Sequence, residues 1–598
     1  MKLLKRVRNI FSNIKFCFRL LYNANKRIFV TLMIMNFFTT LAPIVLLYIT
    51  KDILNAIVDG IANSVDIAKI FVFIAIYFTF NIVSDFIRNF TLKISTIATQ
   101  DLMKHINIGI MDKSTSLDIA YFDIPQMFNE INVSRNNAKS MHTIVFSLTS
   151  LFSALIQFIS SLIIALSING LLVLLCLVIA IPKYLLERKV QLSAYDFDKS
   201  QTNDTRKKNY IYSLFFRKES AEEMRYYNLT NYFLDIYIDK QRSITTKRNK
   251  FNNTNNLKKF LLIIPDIAAK IFINIFIILK IVKKIYSIGD FAYINGIYSS
   301  LSLSLDRILS GIAVLEGYDA KINDYKKYFS YNEKEDACGI DLYSNGGISE
   351  LEFRNVTFRY PNSEKDTLKN LSFHIKSGEK VMLVGENGAG KSTIVKLICG
   401  FYTEYSGQIL VNGIDIKEYD ISTVRKCIAS VFQDFSVYSF KMRENLAFGN
   451  IAELYNDVLL NKSLENAGFV DGYDLDKYIN RDFEPDGIVL SGGQRQKVAI
   501  ARAYVRNSKF VMMDEPNAAL DPIAECDMLE RFKNLYDNRM LIFISHRLSN
   551  ASLMDNIIVL SDGTVVESGT HQSLMEECGQ YYEMFIAQSE KYKKKSVT

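Results

Sequence analysis

Between residues 385 and 393 the chain reads Gly385-Glu386-Asn387-Gly388-Ala389-Gly390-Lys391-Ser392-Thr393, which fits G-x-x-x-x-G-K-[ST]. Its glycines let backbone N–H groups turn inward around a phosphate chain, and a following helix adds the positive end of its dipole. In that setting Lys391 reaches the β and γ phosphates, and the Ser392 hydroxyl ligates Mg2+. A second candidate is Phe510-Val511-Met512-Met513-Asp514-Glu515, an apolar run ending in two carboxylates. Asp514 there would hold Mg2+ through water, and Glu515 would polarise the attacking water. Taken alone, an acid at a strand end is usually a solvated turn, so this run gains its meaning from its company. The chemistry implied is hydrolysis of a nucleoside triphosphate.

Such a site needs strands to deliver its loops. Val381 to Val384 is a short apolar run suited to one, and past a polar linker at 330–347 short β-branched runs alternate with helical stretches, the pattern of an α/β domain. Within it stands Leu490-Ser491-Gly492-Gly493-Gln494, whose Ser and Gly are read as opening a helix over Gln496 to Val505, a second phosphate-binding N-terminus. This pentapeptide matches the signature of ATP-binding cassette proteins, and the chain resembles an ABC transporter half-molecule of the exporter type. The resemblance covers nearly the whole chain. It implies an all-α six-helix transmembrane domain followed by an α/β P-loop NTPase cassette domain, with ATP and Mg2+ as cofactors. It also implies that the signature binds the nucleotide held by the opposite subunit, so a chain with one cassette must dimerise.

Further roles follow from the resemblance where residues match. Tyr360 resembles the aromatic that stacks on adenine. Gln433, in Val431-Phe432-Gln433-Asp434, resembles the residue near Mg2+ and the attacking water. His546, in Ile544-Ser545-His546-Arg547, resembles the switch histidine on the γ-phosphate, and Asp521 the acid that acts across the dimer. Two departures stand out. Pro485, in Phe483-Glu484-Pro485-Asp486-Gly487, replaces a usual Glu, and Asn517-Ala518 stands where Thr-Ser is common. The catalytic residues are intact, which favours a homodimer over a heterodimer.

The first half is of another kind. Six apolar runs are long enough to cross about 30 Å of hydrocarbon. They are Ile28 to Thr50, Ile67 to Phe90, Thr143 to Ser167, Leu171 to Leu186, Phe260 to Val282 and Phe291 to Val314, and Pro182 is read as an end or kink of the fourth. Ahead of them, residues 1–27 carry eight basic and no acidic residues, which places the N-terminus in the cytoplasm. Residues 8–24 are read as an interfacial amphipathic helix. The outside loops are short. The inside ones, 91–142 and 187–259, are long, polar and poor in helix breakers, so they read as helical extensions. From Lys183 to Lys259 there are 17 basic against 9 acidic residues. Against this, Lys280, Lys283 and Lys284 lie at an outer end. The resemblance adds coupling helices in the inside loops, placed at Tyr121 to Asn129 and Glu219 to Tyr227.

Charges inside the spans are costly in hydrocarbon. Asp266 and Lys270 can pair at i, i+4, and Asp306 and Arg307 lie in the inner half of the sixth span. They are read either as self-neutralised structural pairs or as the lining of a translocation cavity.

Composition narrows the rest. The 598 residues carry 71 Lys and Arg against 63 Asp and Glu, 49% hydrophobic residues, 26 Gly and 8 Pro, which excludes collagen-like and broadly disordered chains. The seven cysteines are scattered without metal-ligand spacing, so free thiols are expected. The basic surplus is juxtamembrane, so membrane lipid and not nucleic acid is the expected partner. The domains are then a basic N-terminal helix at 1–27, a transmembrane domain at 28–329, the linker at 330–347, the cassette at 348–588 and a basic tail at 589–598. The expected function is an ATP-hydrolysing, multi-pass exporter of the cell membrane, its cassette cytoplasmic, working by alternating access as a dimer. A peptide cargo is favoured because Pro-Asp-Gly and Asp-Pro-Ile-Ala-Glu look similar to exporters of modified peptides, and with no room for an N-terminal peptidase domain the chain is not expected to cleave a leader. The alternatives are a lipid or drug exporter, a siderophore importer on the same fold, and a non-transporting ATP-driven sensor.

Overall fold

The computed structural model describes residues 2–63, 67–124, 127, 131, 133, 135, 141–261, 263–331, 339–361, 363–469, 473–516 and 539–595. They divide into two compact units, Met1–Thr115 with Asn129–Tyr331, and Ser116–Phe128 with Asn332–Thr598.

The described part of the first unit is helical. It contains α1 (Lys2–Ala24), α2 (Lys26–Asn63) and α3 (Ile67–Ser116). A four-residue turn, α4 (Ala120–Asp123), belongs to the second unit. The first unit continues with α5 (Met141–Ile168), α6 (Gly170–Ser200), α7 (Thr202–Leu214), α8 (Lys218–Tyr226), α9 (Thr230–Leu261), α10 (Ile263–Val282) and α11 (Ile288–Ser330). Among the described residues five stretches are long and apolar enough to cross a membrane: Lys26–Asp59, Ala68–Ser116, Met141–Ile168, Gly170–Asp198 and Thr230–Val282. They overlap the first five expected spans, and the second, fourth and fifth run well past the expected bounds. Phe71, Phe78, Ile82 and Phe86 of α3 are 60–72% exposed, an apolar stripe that lipid covers at no cost and water does not.

α11 contains the sixth expected run but is too polar for that group of five, with Ser300, Ser302, Ser304, Asp306 and Arg307 in its middle. Its place in the bundle explains this, since it packs against α2, α5 and α6 and buries Ile297, Tyr298, Leu301 and Ser304 against protein. Gly296 permits the closest approach, because a Cβ there would sit 2.3 Å from Leu47 Cδ2. Ser287 and Asp290 cap the helix reciprocally, and Lys51 of α2 reaches Asp290 at 2.8 Å.

Two expectations change in detail. Pro182 does not end its helix, which continues to Ser200, so of its two readings only the end is set aside. The N-terminal helix does not merely lie on a surface. It buries Asn13, Cys17 and Leu21, and Asn13 bonds Asp319 and Lys326 of α11 at 2.5 and 2.6 Å.

The second unit holds two sheets. Strands β1 (Glu350–Phe358), β2 (Leu368–Lys376), β4 (Ser406–Val411) and β5 (Ile414–Asp415) form an antiparallel sheet in the order β2-β1-β4-β5. The other runs β10-β9-β3-β8-β7-β6 and comprises β3 (Lys380–Gly385), β6 (Ile428–Val431), β7 (Phe510–Asp514), β8 (Met540–Ile544), β9 (Asn556–Ser561) and β10 (Thr564–Gly569). From β6 to β9 every pairing is parallel, and β10 closes one edge as an antiparallel hairpin. β3, β7 and β8 are buried along their whole length, which is why they read as unbroken apolar runs. The packed unit begins earlier than 348, since Ile340 bridges to Tyr419 and Leu342 is buried in the core.

Candidate functional site

Strand register sets the site. Leu383 and Asp514 both lie opposite Ile544, and Val431 lies opposite Met513, so four strands end at one level. The loops that leave those ends carry the 385–393 segment, Gln433, Asp514-Glu515 and His546. Ligands of open α/β sheets bind at this edge.

After β3 the chain turns through Gly385, Gly388 and Gly390 at φ of +151°, +87° and +100°, a left-handed path open to glycine, and enters helix α12 (Lys391–Ile398). Lys391 is nearly buried, and its Nζ donates to the Gly385 and Glu386 carbonyls at 2.8 Å. Burial lowers its pKa, while Glu515 and Asp514 pull it back up. At the end of β7 the Asp514 carboxyl is raised first by burial. Its hydrogen bond with Ser392 opposes that shift, and its buried Oδ1 has no partner among the described residues. An unsatisfied carboxylate oxygen in a buried site asks for a cation or a donor from outside the protein.

Glu515 has φ +49°, a left-handed backbone that costs a non-glycine residue about 1–2 kcal/mol. Its N–H is held by the Ile544 carbonyl at 3.0 Å. The carboxylate accepts from Gln433 Nε2 on one oxygen at 3.0 Å and meets His546 Nε2 on the other at 2.6 Å. His546 is steadied by Gln588, whose amide donates to its carbonyl at 2.6 Å. Two side chains, 82 and 31 positions away in sequence, thus converge on one acid, the one expected to align water.

Tyr360 is half-buried, its hydroxyl 3.0 Å from Thr393 Oγ1 and its ring 5.3 Å from Lys396 Nζ. Tyr402 packs edge-on to that ring and its hydroxyl donates to Asp123 of α4. Sequence reasoning placed a helix at Tyr121 to Asn129. The turn observed is Ala120–Asp123, and the rest of that range is only partly described. The second expected helix, Glu219 to Tyr227, is α8 shifted by one residue.

The signature helix, α16 (Gly492–Arg506), starts four residues before the expected Gln496. (The helices between, Ile421–Lys426, Met442–Ala447 and Asp457–Asn466, are α13 to α15.) Ser491 and Gln494 form a reciprocal capping box, with bonds of 2.9 and 3.3 Å, and this offsets the poor helix propensity of Gly492 and Gly493. Gln494 also donates to Tyr473 at 2.6 Å. Pro485 has a local explanation, as the second residue of a turn closed by Gly487 N–H to the Glu484 carbonyl at 3.1 Å. Asp521, Asn517 and Ala518 lie outside the described residues.

In the first unit the paired charges rearrange. Asp266 meets Lys270 at 3.7 Å as expected, but both Asp266 and Asp306 are bridged by Lys183 of α6, at 3.6 and 3.0 Å. Arg307 turns instead to Gln157 at 3.4 Å. Lys183 was missed because it is 123 positions from Asp306 and only its location inside an apolar run could have flagged it.

A family model described as ABC transporter matches residues 368–518. The subtilin transport ATP-binding protein SpaT of Bacillus subtilis is 30% identical over 592 residues, covering 97% of this chain and 95% of that one. The chain belongs to the ABC transporter family. Another such transporter, the nisin transport ATP-binding protein NisT of Lactococcus lactis subsp. lactis, is 27% identical over 594 residues, with 95% of each covered. The ATP-dependent lipid A-core flippase of Escherichia coli K12 is 37% identical over 256 residues, 43% of each chain. A solved bacterial Atm1-family ABC exporter with ATP bound shares the fold at a TM-score of 0.79 and 21% identity, covering 94% of this chain and 98% of its own. This ABC transporter is therefore an ATP-hydrolysing membrane protein with a helical domain and an α/β cassette.

Proposed function

We propose that two identical copies of this chain form an exporter of peptides in the cell membrane, with the N-terminus and cassette in the cytoplasm. The observation that carries this is the near full-length similarity to proteins named for subtilin and nisin transport, both peptides. The lipid flippase matches less than half of either chain, which leaves lipid the weaker cargo. The complete catalytic set in one chain supports a homodimer, and the basic N-terminus supports the orientation.

In this reading ATP lies on the 385–393 loop with its adenine on Tyr360, and the partner's Ser491 helix closes on the γ-phosphate. Asp514 and Ser392, oxygen donors with one acid oxygen unsatisfied, suit Mg2+, and Gln433 stands beside them. Bound there, the ion offsets charge on the β and γ phosphates. Glu515 aligns the attacking water, which must replace one of its two partners. His546 is the partner that phosphate oxygens can draw away, so the switch that clears Glu515 is the arrival of the γ-phosphate itself. Lys391 neutralises the developing charge. Asp521 acts across the dimer. Asp266, Lys270, Asp306 and Arg307, joined by Lys183, line the cargo path. Closure of the cassettes on ATP then shifts the membrane domain by differential affinity for the closed state.

The test is ATPase activity of the purified chain in lipid nanodiscs at known mass, while peptides, lipids and drugs are titrated. Stimulation by peptides in a dimeric particle supports the proposal. Stimulation by lipids or drugs alone overturns the cargo, and a silent monomer overturns the homodimer.

A further inference from the structure

Helices α6 and α9 run together at the end of the bundle where the inter-helix connections are long, and they enclose a cavity of about 460 Å3. Its charge is one-sided. Lys189, Lys250 and Lys258 line it, and among the described residues none of the three has an acidic partner. Lys247, also at the wall, is already engaged by Asp204 at 3.4 Å, and the neighbouring Arg248 by Asp198 at 2.6 Å. Among the described residues no carboxylate lines the cavity.

A second observation is independent of charge. Asn255 is 9% exposed, lines the same cavity, and its Nδ2 has no hydrogen-bond partner among the described residues. Buried amide donors are rarely left unsatisfied, so an acceptor from outside the chain fits there. Apart from the hydroxyls of Ser193 and Thr254, the remaining wall is apolar, with Leu186 and Val190 at one end and Phe197 stacked on Phe251 at 4.8 Å at the other.

Depth narrows the ligand. At 1.5 Å per residue, Lys189 lies about 28 Å from the Gly170 end of α6, and Lys258 about 36 Å from the Val282 end of α10. With a hydrocarbon core of about 30 Å, Lys189 and Lys258 lie at or just past its boundary, from which their long side chains reach the headgroup layer. Leu186, one turn above Lys189, is still within the hydrocarbon.

We propose that this groove binds an anionic phospholipid of the leaflet on the side of the long connections. The phosphate sits among Lys189, Lys250 and Lys258, Asn255 donates to one of its oxygens, and an acyl chain lies along Leu186 and Val190. The inference rests on the helices spanning a membrane, and not on the identity of the cargo.

The experiment uses the full-length protein in nanodiscs of phosphatidylcholine with and without phosphatidylglycerol, read by native mass spectrometry of retained lipid and by ATPase rate. Phosphatidylglycerol is expected to stay bound to the wild type. Each of Lys189→Gln, Lys250→Gln and Lys258→Gln should weaken retention roughly fivefold. Asn255→Leu, which keeps every charge, should also release the lipid, and all four variants should hydrolyse ATP like the wild type in phosphatidylcholine. Equal retention by the wild type and a triple lysine variant overturns the site, as does displacement of lipid by an acidic peptide. A wild type inactive in every lipid would count against the transporter reading and leave the binding measurement intact.

Discussion

The two halves handle charge in opposite ways. In the cassette, groups from four strand ends converge, and polar capacity is left over: Asp514 keeps a buried oxygen without a partner among the described residues, and Glu515 sits in a left-handed backbone. In the helical unit the intramembrane charges pair with one another, Lys183 answering two aspartates at once. Unspent polar capacity marks where a reagent is to be bound. Mutual neutralisation marks where a charge must be carried through an apolar medium until something competes for it.

The comparison can be broken most forcefully at Glu515. Glu515→Gln should lower ATP turnover by about a thousandfold while leaving nucleotide binding intact, as measured by steady-state hydrolysis and by binding of a fluorescent ATP analogue. Near wild-type hydrolysis would remove Glu515 from its role.

A smaller effect is expected from the membrane charges. Lys183→Gln takes the bridging cation from Asp306 and leaves Asp266 with Lys270, and because these side chains are 18–38% exposed the loss of stability should be about 1–3 kcal/mol, less than for a fully buried pair. Adding Asp306→Asn should restore much of it. A thermal-unfolding double-mutant cycle reads the coupling, and simple additivity would mean that the bridge carries no energy.

Next comes the signature helix. Ser491→Ala removes its cap and should cost about 1 kcal/mol of cassette stability, together with a drop in hydrolysis larger than that loss explains. Equal effects on both would reduce Ser491 to a structural cap. The mildest change is Tyr402→Phe, which removes one hydrogen bond to Asp123 and should cost about 0.5–1.5 kcal/mol. If the contact serves coupling, cargo stimulation of hydrolysis falls while basal hydrolysis stays.

Acidity separates the halves further. Burial raises the Asp514 carboxyl above its ordinary value near 3.8. Its anionic form is therefore lost at a higher pH than that of a solvated aspartate as the solution is acidified. Mg2+-dependent ATP binding should weaken first, at a pH where the fold is still intact by circular dichroism.

What the sequence disclosed follows the same division. The 385–393 loop, Asp514-Glu515 and the signature were legible because phosphate chemistry constrains residues only a few positions apart. The start of α16 was misplaced because Gly492 and Gly493 argue against a helix when taken singly, whereas the Ser491–Gln494 cap decides it. The Lys183 bridge was illegible because it joins three helices, and the paired neighbours Asp306 and Arg307 pointed to a closer and wrong solution. The polarity of α11 was visible, but that it is covered by α2, α5 and α6 depends on packing. Tyr402 gave no signal at all, since its partner lies 279 positions away.

That last contact bears on how the protein can be dissected. Residues 116–128 are encoded amid the membrane helices, yet they belong to the cassette, where Ala120 packs on its core. A cassette cut out by sequence alone would bare an apolar seam that its own chain normally seals, and would be prone to self-association. The missing piece is short enough to be supplied as a synthetic peptide.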